Sequence, residues 1–223
     1  RSAGVIMHIA SLPGKFGIGT FGKEAFNFVD FLVKSGQTYW QILPLNPTNY
    51  GDSPYQSFSC FAGNPYFIDI EALIEEGLLT EAQADSFDFY DDCEIIDYGK
   101  LYENRLDLLS LAFNNFSPNA EYMAFKSKNA FWLDDYALYM AIKDSYNGKS
   151  WIEWDSNIRT REPEAIDKYK EELKDDINFY KYQQFYFYKF FHSSLIIHNH
   201  NHNDYTYHAN FYALYFLHNL YHV

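Results

Sequence analysis

Apolar and polar positions along the first 45 residues fall into blocks that predict strand, helix and strand. Gly4 to Ile9 is an apolar run bounded by Ser11-Leu12-Pro13-Gly14, which reads as a short buried strand followed by a loop. Thr20 is placed to cap the next helix, where Phe21, Ala25, Phe28, Val29 and Leu32 recur at helical spacing and Gly36 is the stop. Tyr39 to Leu45 (Tyr-Trp-Gln-Ile-Leu-Pro-Leu) is apolar enough to be a second buried strand. Two strands joined by a single helix run parallel with a right-handed crossover. Ligand sites of parallel sheets lie beyond the C-terminal ends of the strands, so Ser11 to Gly19 and Asn49 to Asn64 belong at one rim.

After Asp69 the pattern becomes helical. Glu75-Glu76-Gly77 predicts a turn, and Thr80 with Gln83 predicts a capping box. Beyond these two local signals no motif is identified between Glu71 and Asn115. Ser117-Pro118 predicts a helix start with proline in the first position. From Trp132 to Tyr146, Leu133, Tyr136, Ala137, Met140 and Ile142 share a face, and Asn147-Gly148 ends the helix. Arg161-Glu162-Pro163 opens a long helix carrying Ile166, Tyr169, Leu173, Ile177, Tyr180 and Gln184. Trp151 and Trp154, in the connection, read as core or hinge packing or as sugar platforms, packing being the commoner use.

Composition narrows the function classes. With 223 residues, 48% of them hydrophobic, the chain makes one or two globular domains. A net charge of −13, from 30 acidic and 17 basic side chains, opposes phosphate backbones and anionic membranes, so neither nucleic acid nor membrane is an expected partner. The sequence has no apolar run of 18 residues and no secretory leader pattern. Cys60 and Cys93 do not make a disulfide framework and fit free thiols in the cytoplasm, with Cys60 read as a small core residue.

The densest chemistry lies in Tyr50 to Tyr66, Tyr-Gly-Asp-Ser-Pro-Tyr-Gln-Ser-Phe-Ser-Cys-Phe-Ala-Gly-Asn-Pro-Tyr. Gly and Pro fix the backbone, leaving hydroxyls, amides and aromatic faces to meet a ligand. A sugar presents hydroxyls that need directional partners and a C–H face that needs a flat apolar surface. A turn-rich loop packing its own aromatics is the alternative on composition alone. His8, after the first strand, suits either a cleft-facing or a structural histidine.

Four blocks occur together: His8 to Gly14, Gly17-Ile18-Gly19, Gln37 to Leu45, and Gly51 to Pro65. In order and spacing they resemble the 4-α-glucanotransferases, the amylomaltase or disproportionating enzymes. The resemblance runs from Arg1 to about Tyr188 and implies an α/β fold: the N-terminal part of a (β/α)8 barrel interrupted after its second strand by a mostly helical inserted subdomain. The expected division is 1–70 for the first βαβ unit with its substrate loop, 71–189 for the helical subdomain, and 190–223 for an aberrant tail. The resemblance further implies that Ser53 and Tyr55 touch sugar near the point of cleavage and that Tyr50 holds glucan at an outlying site. Gln56 is adjacent and joins them as a candidate. The implied partners are α-1,4-glucans (maltooligosaccharides), with no cofactor and no metal.

Retaining glucan transfer needs a carboxylate nucleophile and a carboxylic acid about 5–5.5 Å apart. In the resembled family these follow later barrel strands, so no catalytic residue is expected in this chain. Asp52 reads as a turn cap and Asp69 as the cap of the following helical segment. From Phe190 the sequence holds seven of the eight histidines, one Asp, and no Lys, Arg, Glu, Gly or Pro. A reading-frame slip near Lys189 or Phe190 explains that break, and an unpacked tail is expected. The rival is a metal site from His198, His200, His202 and Asp204, which alternate as on an extended strand. An amylase-like α-glucan hydrolase and a non-catalytic carbohydrate-binding fragment are the remaining alternatives.

Overall fold

The computed structural model describes residues 3–49, 51–92 and 94–200, with side chains described through His192. Two short parallel strands are present among these residues, β1 (Gly4–Ile6) and β2 (Tyr39–Gln41), joined by α1 (Lys23–Lys34). Their register pairs Gly4 with Tyr39, Val5 with Trp40 and Ile6 with Gln41, and Met7 N–H donates to Gln41 O at 3.0 Å. The expected βαβ order is therefore present, but both strands are shorter than the apolar runs suggested. β1 stops where Ile9 enters a 3-10 turn (Ile9–Ser11), and the Trp40 indole N–H donates to Met7 O at 2.8 Å, just past the last paired residues. Ile6 is 68% exposed, whereas Ile42 is 5% exposed and packs inward.

Helices make up most of the rest: α2 (Ile70–Glu75), α3 (Glu81–Ala84), α4 (Tyr98–Asn114), α5 (Ala120–Ser145), α6 (Ser156–Arg159), α7 (Pro163–Glu172) and α8 (Lys174–His200). Asp69 caps α2 by accepting from Ala72 N–H at 2.7 Å, and Thr80 and Gln83 close the expected capping box on α3. Gly36, Gly77 and Gly148 end their helices at positive φ, where a Cβ is disfavoured. Other boundaries moved. Gly22 rather than Thr20 caps α1, because the Thr20 hydroxyl donates to Asp69. Asn119 caps α5, so Ser117-Pro118 stays outside a helix that then runs unbroken through the expected Trp132–Tyr146 segment. The single helix expected after Pro163 is two, parted at Leu173.

By compactness the chain forms two units, one from the residues up to Phe116 together with those from Tyr186 onward, the other Ser117–Phe185. In the first, Ile9, Leu12, Phe16, Ile18 and Phe21 from the first loop join Trp40, Phe67, Leu73, Leu101 and Leu108 in the core. Phe187 and Phe191 stack 5.9 Å apart, and each meets Phe21 edge-on. Phe190 and Phe191, the first residues of the expected tail, are thus buried parts of the fold. The backbone stays helical through His200, so His198 and His200 do not lie on an extended strand; His202 and Asp204 lie outside the described residues. In the second unit, Ala137, Leu138, Ala141 and Ile142 of α5 pack with Trp154, Ile158, Ala165, Ile177 and Tyr180. Trp154 is core, as packing predicts, but Trp151 is half exposed. No helix among the described residues is long and apolar enough to cross a membrane.

Candidate functional site

Parallel pairing of β1 and β2 makes both following loops leave one edge of the sheet. The first, Ser11–Gly19, is held close by its glycines. A Cβ on Gly14 would lie 2.2 Å from Ile18 O and one on Gly19 2.0 Å from Ile9 O, so no larger residue fits this turn. The second loop is tied at its base. Asn46 Nδ2 donates to Ala62 O at 3.0 Å, Asn64 N–H to Leu45 O at 2.8 Å, and the Tyr188 hydroxyl to Phe61 O. A Cβ on Gly63 would strike the Phe187 ring at 2.1 Å, so glycine lets α8 close on the loop. Farther along, Ser59 Oγ accepts from Phe61 N–H and Ala62 N–H.

Between these ties the loop turns outward. Asp52 adopts φ 52°, and Gln56 N–H donates to Ser53 O at 3.0 Å, closing a tight turn over Pro54 and Tyr55. Tyr55 is 75% exposed, Gln56 is exposed and Ser53 is half-buried, so the turn presents a phenol, an amide and a hydroxyl together. Tyr50, the fourth candidate, lies outside the described residues, as does Cys93. Cys60 is exposed on this same loop and is no core residue.

Asp52 was expected to cap backbone N–H groups; among the described residues its carboxylate accepts from the Thr48 hydroxyl at 3.4 Å. Burial raises its pKa above the usual carboxylate range, opposed by that hydrogen bond. Its charge reaches Tyr66, which is pushed up to about 12 chiefly by burial, and Tyr98 at the start of α4, also raised chiefly by burial. The sequence pattern did not connect Tyr98 with the loop, although Asp97, which caps α4 through Lys100 N–H, marks a helix start beside Tyr98. Under the loop, Arg105 is fully buried and its Nη2 donates to Tyr66 O at 2.8 Å and Ile68 O at 2.5 Å. Burial lowers its pKa to about 10, partly offset by Asp69. Among the described residues no group of three or more His, Cys, Asp or Glu could hold a metal.

His8 is half-buried, meets Phe67 edge-on at 5.3 Å, and keeps a buried Nδ1 without a partner. Burial lowers its pKa below the ordinary 6.5. The unfolded chain therefore binds the proton first as pH falls, so stability is full above about pH 6.5 and is lost as pH drops through that value toward the lower folded pKa. His8→Gln should flatten this part of the pH–stability curve, measured by urea unfolding between about pH 7.5 and 5. An unchanged slope would remove His8 as its source.

A sequence profile described as 4-alpha-glucanotransferase matches residues 7–200. The 4-alpha-glucanotransferase of Clostridium butyricum is 50% identical over 184 residues, covering 82% of this chain and 38% of that protein. That of Thermus thermophilus is 41% identical over 195 residues, covering 85% and 38% respectively. An amylomaltase from Streptococcus agalactiae, solved in complex with acarbose, superposes with a TM-score of 0.85 at 42% identity, covering 89% of this chain and 41% of that one. This chain thus spans about 38% of the length of the curated relatives it matches. A profile match over most of the chain, joined to close structural likeness, places it in the 4-alpha-glucanotransferase family.

Proposed function

We propose that these residues form the glucan-holding N-terminal part of a 4-α-glucanotransferase. Such an enzyme transfers an α-1,4-glucan segment to an acceptor 4-hydroxyl, with retention, through a glycosyl-enzyme. β1, α1 and β2 would be the first βαβ unit of a (β/α)8 barrel, and residues 71–189 its helical insertion. Ser53, Tyr55 and Gln56 would meet sugar near the point of cleavage, and Tyr50 at an outlying site. The reacting carboxylates would stand in the part of the relatives that lies beyond this chain. The observation that carries this reading is Tyr55, 75% exposed on a loop whose base is anchored on both sides. An exposed aromatic held on a rigid base is pre-organised for a sugar face, since its ordering cost is met by the fold.

The experiment joins residues 1–189 to the remainder of the Clostridium butyricum relative and follows maltotriose by chromatography. Transfer yields glucose together with chains longer than the substrate; hydrolysis yields only shorter sugars and would contradict the assignment. In this chimera Tyr55→Ala should weaken kcat/KM by about 1–3 kcal/mol of transition-state binding, with unfolding unchanged because the ring is exposed. Parent-like kinetics in Tyr55→Ala would remove Tyr55 from the site.

A further inference from the structure

The second unit contains a cavity of about 320 Å3. Its buried lining is Leu138 and Ile142 of α5, Trp154, and Ile158 of α6. Its outer wall is Trp151, 51% exposed, and its rim carries Asp135, Arg159 and Arg161. The volume lies at the small end of ligand pockets and has room for roughly one or two hexose units.

The two tryptophans of one short segment have taken different roles. Trp154 is wedged in the core, stacked on Tyr146 at 5.8 Å, and its indole N–H donates to Lys149 O. Trp151 opens the 3-10 turn Trp151–Glu153 and leaves half of its surface to solvent over an apolar cavity. Packing accounts for the first indole and leaves the exposure of the second unexplained.

The rim is polar but locally neutralised. Arg161 Nη2 pairs with Asp135 Oδ1 at 2.7 Å, and Arg159 Nη1 donates to Ile152 O at 2.9 Å. Both arginines thus already have oxygen partners, and a ligand meets fixed N–H donors and a carboxylate acceptor rather than an unpaired charge. That favours a neutral polyol over a phosphate or carboxylate. Arg161 also sits at φ 58°, in the turn that closes α6 through Glu162 N–H to Asn157 O and Arg161 N–H to Ile158 O. Glycine is the residue this conformation favours; an arginine here accepts backbone strain and sets a guanidinium at the cavity mouth.

We propose that this cavity is an auxiliary α-glucan site, with Trp151 as the platform for a glucose ring and Asp135, Arg159 and Arg161 as partners for its hydroxyls. The proposal rests on the α-glucan reading of the family's substrate for the choice of ligand, and on a location separate from the Ser53–Gln56 turn.

The test is a calorimetric titration of the full chain with maltoheptaose, comparing the parent with Trp151→Ala, Arg161→Gly and Tyr55→Ala. Two classes of site are expected in the parent. Trp151→Ala should weaken one class at least tenfold, and Tyr55→Ala should leave that class intact while weakening the other. Arg161→Gly relieves the left-handed strain, so its unfolding temperature should hold or rise while the same class still weakens severalfold. A purely structural Arg161 would give stability without that loss. If Trp151→Ala and Arg161→Gly bind as the parent does while Tyr55→Ala binds less, the auxiliary site is overturned and the loop assignment stands. If the parent binds no maltoheptaose, the glucan reading of both sites is overturned. Should Trp151→Ala fail to fold, Arg161→Gly decides alone.

Discussion

Replacing Arg105 with alanine should lower stability by about 3 kcal/mol, because one buried and one part-buried carbonyl lose their donor and a large cavity opens. Arg105 has no exposed surface, and its Nη2 serves Tyr66 O and Ile68 O at the C-terminal end of the loop that follows β2. One effect opposes the loss. Burial already disfavours the guanidinium charge, and its Nε and Nη1 have no partner, so removing the charge returns part of a desolvation cost. Arg105→Met separates these contributions, since it removes charge and donors while keeping most of the volume. Alanine should therefore be the more damaging, and both variants should loosen the segment from Asn64 to Asp69. Urea unfolding midpoints give the order, and amide exchange at Tyr66 to Ile68 gives the location. An Arg105→Ala midpoint within experimental error of the parent would show that the clamp contributes no net stability.

Arg105 also marks where the sequence stopped being legible. The segment between Glu71 and Asn115 offered no motif, yet Leu101, Arg105, Leu108, Leu109 and Ala112 follow helical spacing behind the Asp97 cap. A charged residue in an apolar stripe reads as an interruption until the buried carbonyls it serves are known. Local signals fared better. The Asp69 cap, the Thr80–Gln83 box and the Gly36, Gly77 and Asn147-Gly148 stops depend on neighbours within a few residues, and each stands as the sequence indicated. Thr20 and Cys60 departed from expectation because their surroundings come from elsewhere: Thr20 is drawn to Asp69, 49 residues away, and Cys60 turns to solvent.

The four-block resemblance pointed to the loop after β2 as the candidate site, and its glycines bear on how it folds. Which side chains face outward was not legible, because alternation fails in a turn-rich segment. Exposure of Tyr55 and half-burial of Ser53 follow from the Asp52 backbone at φ 52° and the turn closed by Gln56. Phe190 and Phe191 show the same limit at the far end. Compositional bias suggested a break before them, but two rings on one helical stretch pack according to what faces them.

The second large effect concerns catalysis by residues 1–223 themselves, which should be nil. Retention requires a nucleophilic carboxylate and an acid on opposite sides of the scissile bond. The two acids weighed in the sequence are otherwise engaged. Asp69 is buried, caps α2 through Ala72 N–H and accepts the Thr20 hydroxyl. Asp52 has the raised pKa that suits an acid, but its carboxylate is held by Thr48 and a lone acid supplies no nucleophile. The most direct measurement incubates the purified chain with maltotriose and resolves the products by chromatography. Unchanged maltotriose is the predicted result; conversion to glucose and maltopentaose would contradict the account and place the reacting acids within these residues.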